Sequence, residues 1–157
     1  MNNKIICFFL LFTLAGLTCL SAQMTKAQLQ NMYVVYLRGQ GYNPSVDSDG
    51  DVNFTAQNQR FYINVRENDL QSFQLVMTNF LDIGNQSNRL KALNAASVVT
   101  RTRPVARLYI ASNGKIAIDT FILLTKPEDF NVHLNRLVTI MVQSREEFLE
   151  VMKQDSI

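Results

Sequence analysis

Gly39-Gln-Gly-Tyr-Asn-Pro-Ser-Val-Asp-Ser-Asp-Gly-Asp-Val-Asn-Phe54, followed after a polar break by Arg60-Phe-Tyr-Ile-Asn-Val-Arg66, decides how the chain is read. Gly39 and Gly41 offer positions where the backbone takes positive φ, which ends a preceding helix. Pro44 turns the chain away from helix, and Asp47-Ser-Asp-Gly-Asp51 concentrates turn formers. Val52, Phe54 and Ala56 then alternate with polar residues, as do Phe61, Ile63 and Val65. Alternation with period two marks strands that bury one face. The stretch therefore reads as a helix end, a turn and two strands flanking Gln57-Asn-Gln59.

Upstream, Thr25-Lys-Ala-Gln28 has capping-box spacing, and Leu29, Met32, Tyr33, Tyr36 and Leu37 recur at threes and fours. That predicts a helix over about 25–39. Downstream, the apolar run 73–83 satisfies both periodicities and is read as a third strand. A second helix over about 87–102 turns Leu90, Leu93, Ala96 and Val99 inward and stops at Pro104. Residues 105–111 and 115–124 are two strands joined at Ser112-Asn-Gly114, an Asn-Gly hairpin signal. The second of these is apolar on both faces, with Ile116, Ile118 and Ile122 alternating against Phe121 and Leu123, which suits a central position. Thr125 or Lys126 then caps a long last helix whose first turn is Pro127-Glu-Asp129. Its stripe is Phe130, Leu134, Leu137, Met141, Phe148 and Met152, with one seven-residue step. The expected class is α+β, a single antiparallel β-sheet with helices packed on it, in the order α-β-β-β-α-β-β-α.

Lys4, the apolar run from Ile5 to Ala15 and the small-residue exit Ser21-Ala22 form the three-part pattern of a secretory signal peptide. Residues 1–22 are read as that segment and 23–157 as one domain, exported to the periplasm or secreted. An uncleaved anchor, or a lipid on Cys19, are the weaker readings of the same segment. Both cysteines, Cys7 and Cys19, fall in it, so the mature domain is expected to hold no disulfide or thiol nucleophile. The formal net charge is +2, of which Lys4 contributes one. So small a charge gives no field for nucleic acid.

Chemistry-bearing residues are few. Asp47, Asp49 and Asp51 alternate as at the start of a calcium loop, but glycine stands fourth rather than sixth and Asn58 stands where the bidentate glutamate belongs. His133 is the lone histidine. It has no cysteine for a metal site and no nucleophile elbow for a triad with Asp129. No phosphate-cradling glycine loop is present. The sequence thus points to no enzyme and no cofactor. Strand parity sends Phe61, Ile63, Val65, Leu75, Met77, Leu108 and Ile110 toward the helices and Tyr62, Val76, Phe80, Arg107, Tyr109 and Phe121 to the other face. Aromatics mixed with arginine suit a protein-binding or homodimer face. The alternative is a small-molecule or ion sensor with a pocket near Tyr36, Tyr42 and Phe54.

The Gly41-Tyr42-x-Pro44-x-Val46-Asp47-x-Asp49-Gly50-Asp51-Val52-x-Phe54 block, Phe61-Tyr62-Ile63-x-Val65, Asp69 and Phe73 to Leu75 carry a resemblance. So does Leu90-Lys-Ala-Leu-Asn-Ala-Ala-Ser-Val-Val99 before the next strand. The chain resembles the YbjN-like proteins, a bacterial family titled for sensory transduction regulation and similar in fold to type III secretion (Tir) chaperones. The resemblance implies a helix-flanked antiparallel sheet, a homodimer, and binding of other polypeptides rather than catalysis. An export signal and a nearly neutral charge depart from cytoplasmic, commonly acidic secretion chaperones.

Overall fold

A computed structural model describes residues 24–78 and 80–154. The expected signal peptide, its cleavage point and both cysteines lie outside the described residues. The chain forms α1 (Lys26–Gly39), β1 (Ser45–Val46), β2 (Val52–Ala56), β3 (Gln59–Asn64), β4 (Ser72–Met77), α2 (Gln86–Thr102), β5 (Arg107–Ile110), β6 (Ile116–Leu123) and α3 (Phe130–Gln154). The strands make one antiparallel sheet in the order β1-β2-β3-β4-β6-β5. The α+β class and the order of helices and longer strands are those read from the sequence, with the short β1 added at one edge.

Local chemistry explains the element ends. Thr25 Oγ1 accepts from the Gln28 amide at 3.3 Å while the Thr25 amide donates to Gln28 Oε1 at 2.8 Å, the capping box that starts α1. Gly41, at φ 81°, follows its end. The β2–β3 hairpin closes on Gln57 and Asn58 alone, both at positive φ (48° and 59°). Two successive left-handed residues match the twist of the strands they join. Asn85 caps α2 by accepting from the Asn88 amide at 2.9 Å. A 3-10 turn over Pro127–Asp129 leads into α3, and Asp129 accepts from the Lys126 amide at 3.2 Å.

The turn after β1 is built by one carboxylate. Asp47 Oδ1 accepts from the amides of Asp49 (3.0 Å) and Asp51 (2.9 Å), and its Oδ2 accepts from Asn53 Nδ2 (2.7 Å). Lys26 Nζ donates to the Asp49 carbonyl and Gln30 Nε2 to the Gly50 carbonyl, both at 2.8 Å, which ties α1 to this turn. Gly50 stands at φ 87°, and an added Cβ there would meet the Lys26 side chain at 2.6 Å.

All three helices pack on one face of the sheet. Leu29, Tyr33 and Leu37 of α1 meet Phe54, Phe61, Ile63, Phe73 and Leu75 of the sheet together with Phe130, Leu134 and Met141 of α3. Tyr33 stands edge-on to Phe130 at 4.8 Å between centroids. Each such ring or leucine taken from water contributes about 1.5–3 kcal/mol. A second cluster joins Ala92, Ala95, Ala96 and Val99 of α2 to Ile116 and Phe148. Phe80 and Leu108 bridge the two clusters.

Three expectations are corrected. The run 73–83 is strand only to Met77; beyond it Leu81 accepts from the Ile116 amide at 2.9 Å and Asp82 keeps an isolated bridge to Lys115, so the chain stays beside the β5–β6 hairpin without continuing the strand. In α2 the inward side is Ala92, Ala95, Ala96 and Val99, and Leu90 and Leu93 are 61% and 47% exposed. A helix lying against α3 packs closest through its small side chains, and that rotates the two leucines outward. In α3 the seven-residue step between Met141 and Phe148 is filled by Ser144, wholly buried, whose hydroxyl donates to the Ile140 carbonyl at 2.7 Å.

Candidate functional site

The face of the sheet turned away from the three helices is laid out by the strand register. Asn53, Tyr62, Val76, Asp119 and Arg107 form one row across β2, β3, β4, β6 and β5. Asn64, Gln74 and Phe121 form the row beside it, and Ser72 and Leu123 the one after. On the other side Tyr109 stands opposite Ala117.

Val76 and Ala117 are each only 1% exposed although neither belongs to the helix-side clusters. Their cover is supplied by neighbours on this same face. Tyr62 and Tyr109 stand on β3 and β5, separated by β4 and β6, so about 14 Å of sheet lies between them. Burial pushes both phenols above their ordinary value, and the next influence on Tyr62 is the Tyr109 phenol itself.

Asp119 lies beside Val76, 2% exposed. Its Oδ1 accepts from Arg107 Nε at 2.8 Å and its Oδ2 from Arg107 Nη2 and Gln74 Nε2, both at 2.6 Å. A buried carboxylate persists only when so paired. The hydrogen bond to Asp119 in turn holds the Arg107 guanidinium above its ordinary value. Arg66 Nη2 donates to Gln74 Oε1 at 2.7 Å, and its guanidinium sits 5.6 Å over the Phe121 ring. The site is thus a polar chain from Arg66, just past the end of β3, across β4, β6 and β5, on the face that also carries Tyr62, Tyr109 and Phe121.

Of the residues read from the sequence as this face, Tyr62, Val76, Arg107, Tyr109 and Phe121 are brought together on it. Phe80 is not. It lies beyond the end of β4, where strand parity no longer applies, and turns to the helices, edge-on to Phe148 at 5.7 Å and under Arg145. Gln74, Asp119 and Arg66 were missed. The signal for Asp119 was present, because a hairpin centred on Asn113 pairs Arg107 with Asp119 across the turn and puts a lone carboxylate inside an apolar strand.

The alternative pocket residues do not converge. Phe54 is buried between Tyr42 (5.4 Å) and Phe61 (5.5 Å), whereas Tyr36 stands against Phe130 and donates to the Asn131 carbonyl at 3.0 Å. Asp47 spends both oxygens inside its turn, and Asp51 accepts from the Val65 amide at 2.9 Å. Burial pushes the Asp47 carboxyl up, but the hydrogen bonds from Asn53, Asp51 and Asp49 together hold it below its ordinary value. Asp51 is raised, first by burial. Among the described residues no group of three or more His, Cys, Asp and Glu side chains could hold a metal ion. His133 is exposed on α3, beside a shallow groove it shares with Leu123 and Arg136. No described helix is long and apolar enough to cross a membrane.

Fold and site define an α+β domain with one sheet face packed and the other left to solvent with aromatic and arginine side chains on it. No protein-family model matches the chain, and no curated protein matches it either.

Proposed function

We propose that the protein is an exported, non-enzymatic polypeptide-binding module, chaperone-like or regulatory, which takes a partner chain or a second copy of itself on the open sheet face. The YbjN-like resemblance and the secretion-chaperone comparison belong to this reading, as does the signal-peptide pattern. The observation that carries it is the composition of that face. Tyr109, Phe121 and Leu123 are exposed on one continuous sheet beside Arg66 and Arg107. Aromatic side chains and arginine are enriched where proteins meet, and clustered exposed apolar groups are rare on a surface that meets only water. Leu90 and Leu93, exposed one turn apart on α2, add a second apolar strip that a partner or second copy would cover.

The test is the mass of the protein in solution by light scattering, alongside Tyr109→Glu. A dimer that the variant splits supports self-association through this face. A dimer indifferent to the change moves the interface off the sheet and overturns the reading, and a monomer in both cases removes the homodimer from it.

A further inference from the structure

The open face carries arginines and carboxylates together, and its arginines differ in which donors are already spent. Arg60, Arg66 and Arg107 lie on it with Asp119 at the centre and Asp51 and Asp47 at the β2 rim, Asp51 engaged with the Val65 amide and Asp47 with the Asn53 side chain. Two of these arginines are held in place. Asp119 grips Arg107 side-on, through Nε and Nη2. A guanidinium has five N–H donors in a rigid plane. The side-on grip uses two, so the end-on fork of Nη1 and Nη2 is left without a partner among the described residues. The Arg107 side chain is 60% exposed, which places that fork in solvent.

Arg66 is fixed by Gln74 and by the face of Phe121, and Gln74 is fixed by Asp119. Arg66, Gln74, Asp119 and Arg107 are therefore one hydrogen-bonded chain with a guanidinium at each end. Releasing Arg107 would strand a buried carboxylate, so the fork stays where it is. A receptor whose donors are already immobilised loses little entropy on binding, and a guanidinium fork matches a carboxylate in bidentate geometry.

We propose that the open face binds a polypeptide segment in which acidic side chains are interleaved with apolar ones, the carboxylates taking the free donors of Arg107 and Arg66 and the apolar side chains lying on Phe121 and Leu123. This rests on the polypeptide-binding reading above and adds the chemistry of the partner.

The test uses the 15N-labelled protein and three synthetic peptides, alike in their leucine and phenylalanine positions and carrying Glu, Gln or Lys between them. The Glu peptide is expected to move the amides of β4, β5 and β6, with binding that weakens as salt is raised. Arg66→Gln, which leaves the buried pair intact, is expected to lower the affinity about ten-fold. The double variant Arg107→Met with Asp119→Leu removes the fork without stranding a charge and is expected to do the same, its amide dispersion reporting that it has folded. Equal binding of the Gln or Lys peptide, or indifference to both variants, overturns the acidic preference while leaving polypeptide binding in place. If none of the three peptides moves these amides, both readings fail. Binding to phosphatidylglycerol vesicles in place of the Glu peptide overturns the proposal in favour of a lipid surface.

Discussion

Arg107 and Asp119 face each other across the β5–β6 hairpin, the carboxylate buried and the guanidinium gripping it side-on at 2.8 and 2.6 Å. Removing Arg107 leaves Asp119 in the sheet with only Gln74. Loss of one partner from a buried pair costs about 3–5 kcal/mol, and Arg107→Ala is expected to cost about 2 kcal/mol because its own side chain is open to water. Denaturant unfolding measures this, and the double variant Arg107→Met with Asp119→Leu should recover most of it. An Arg107→Ala protein as stable as the parent would mean the pair is worth nothing to the fold.

Thr120 stands next to Asp119 but on the helix side of β6, wholly buried, and its hydroxyl oxygen has no hydrogen-bond partner among the described residues. An unsatisfied buried hydroxyl carries a desolvation cost of about 1–3 kcal/mol. Thr120→Val keeps the branched shape and removes the oxygen, so it should stabilise the protein by about 1 kcal/mol. A lower melting temperature in the variant would show that the hydroxyl is satisfied after all.

The small-residue side of α2 makes a contrast between neighbours. Ala95 is fully buried, and Ala95→Leu forces extra volume into the α2 packing at a cost of about 1–3 kcal/mol. Leu93 points to solvent, and Leu93→Ala should change stability by no more than about 0.5 kcal/mol. Unfolding curves for the two variants are enough to decide, since the reverse order would place the leucine inward.

The end of α2 is clasped to α3 by Glu147, which accepts from the Thr102 hydroxyl at 2.7 Å and pairs with Arg103 at 3.0 Å. The Thr102 hydrogen bond, opposed by burial and aided by Arg103, holds the Glu147 carboxyl below its ordinary value of 4.5. A depressed carboxyl stabilises the fold fully above its unfolded value and loses that contribution as the pH falls through the folded one. Glu147→Gln should therefore flatten part of the stability loss below pH 4.5 while costing under about 1 kcal/mol near neutrality, as a partly exposed pair does. An unchanged acid limb in the variant would rule the clasp out as its source.

Local signals carried much of the architecture. The capping box at Thr25 and Gln28, the turn at Asp47–Asp51 and the alternation through Phe54 and Phe61 each act over a few residues, and each is found where the pattern puts it. The apolar 115–124 strand lies inside the sheet, between β4 and β5, rather than at its edge. Five of the six side chains assigned to the outer face follow from parity alone, and Phe80 departs because parity ends with the strand.

What the sequence by itself determined is therefore the class, the element order and the two faces of each strand, because hydrogen bonding and side-chain direction within an element depend on near neighbours. The tertiary structure alone decided where β4 stops, which side of α2 goes inward, and the chain from Arg66 through Gln74 and Asp119 to Arg107. Gln74 and Asp119 are 45 residues apart in sequence, and only the pairing of β4 with β6 brings their side chains to 2.6 Å. Periodicity names the face a residue occupies, whereas its partner on that face is set by register between distant strands.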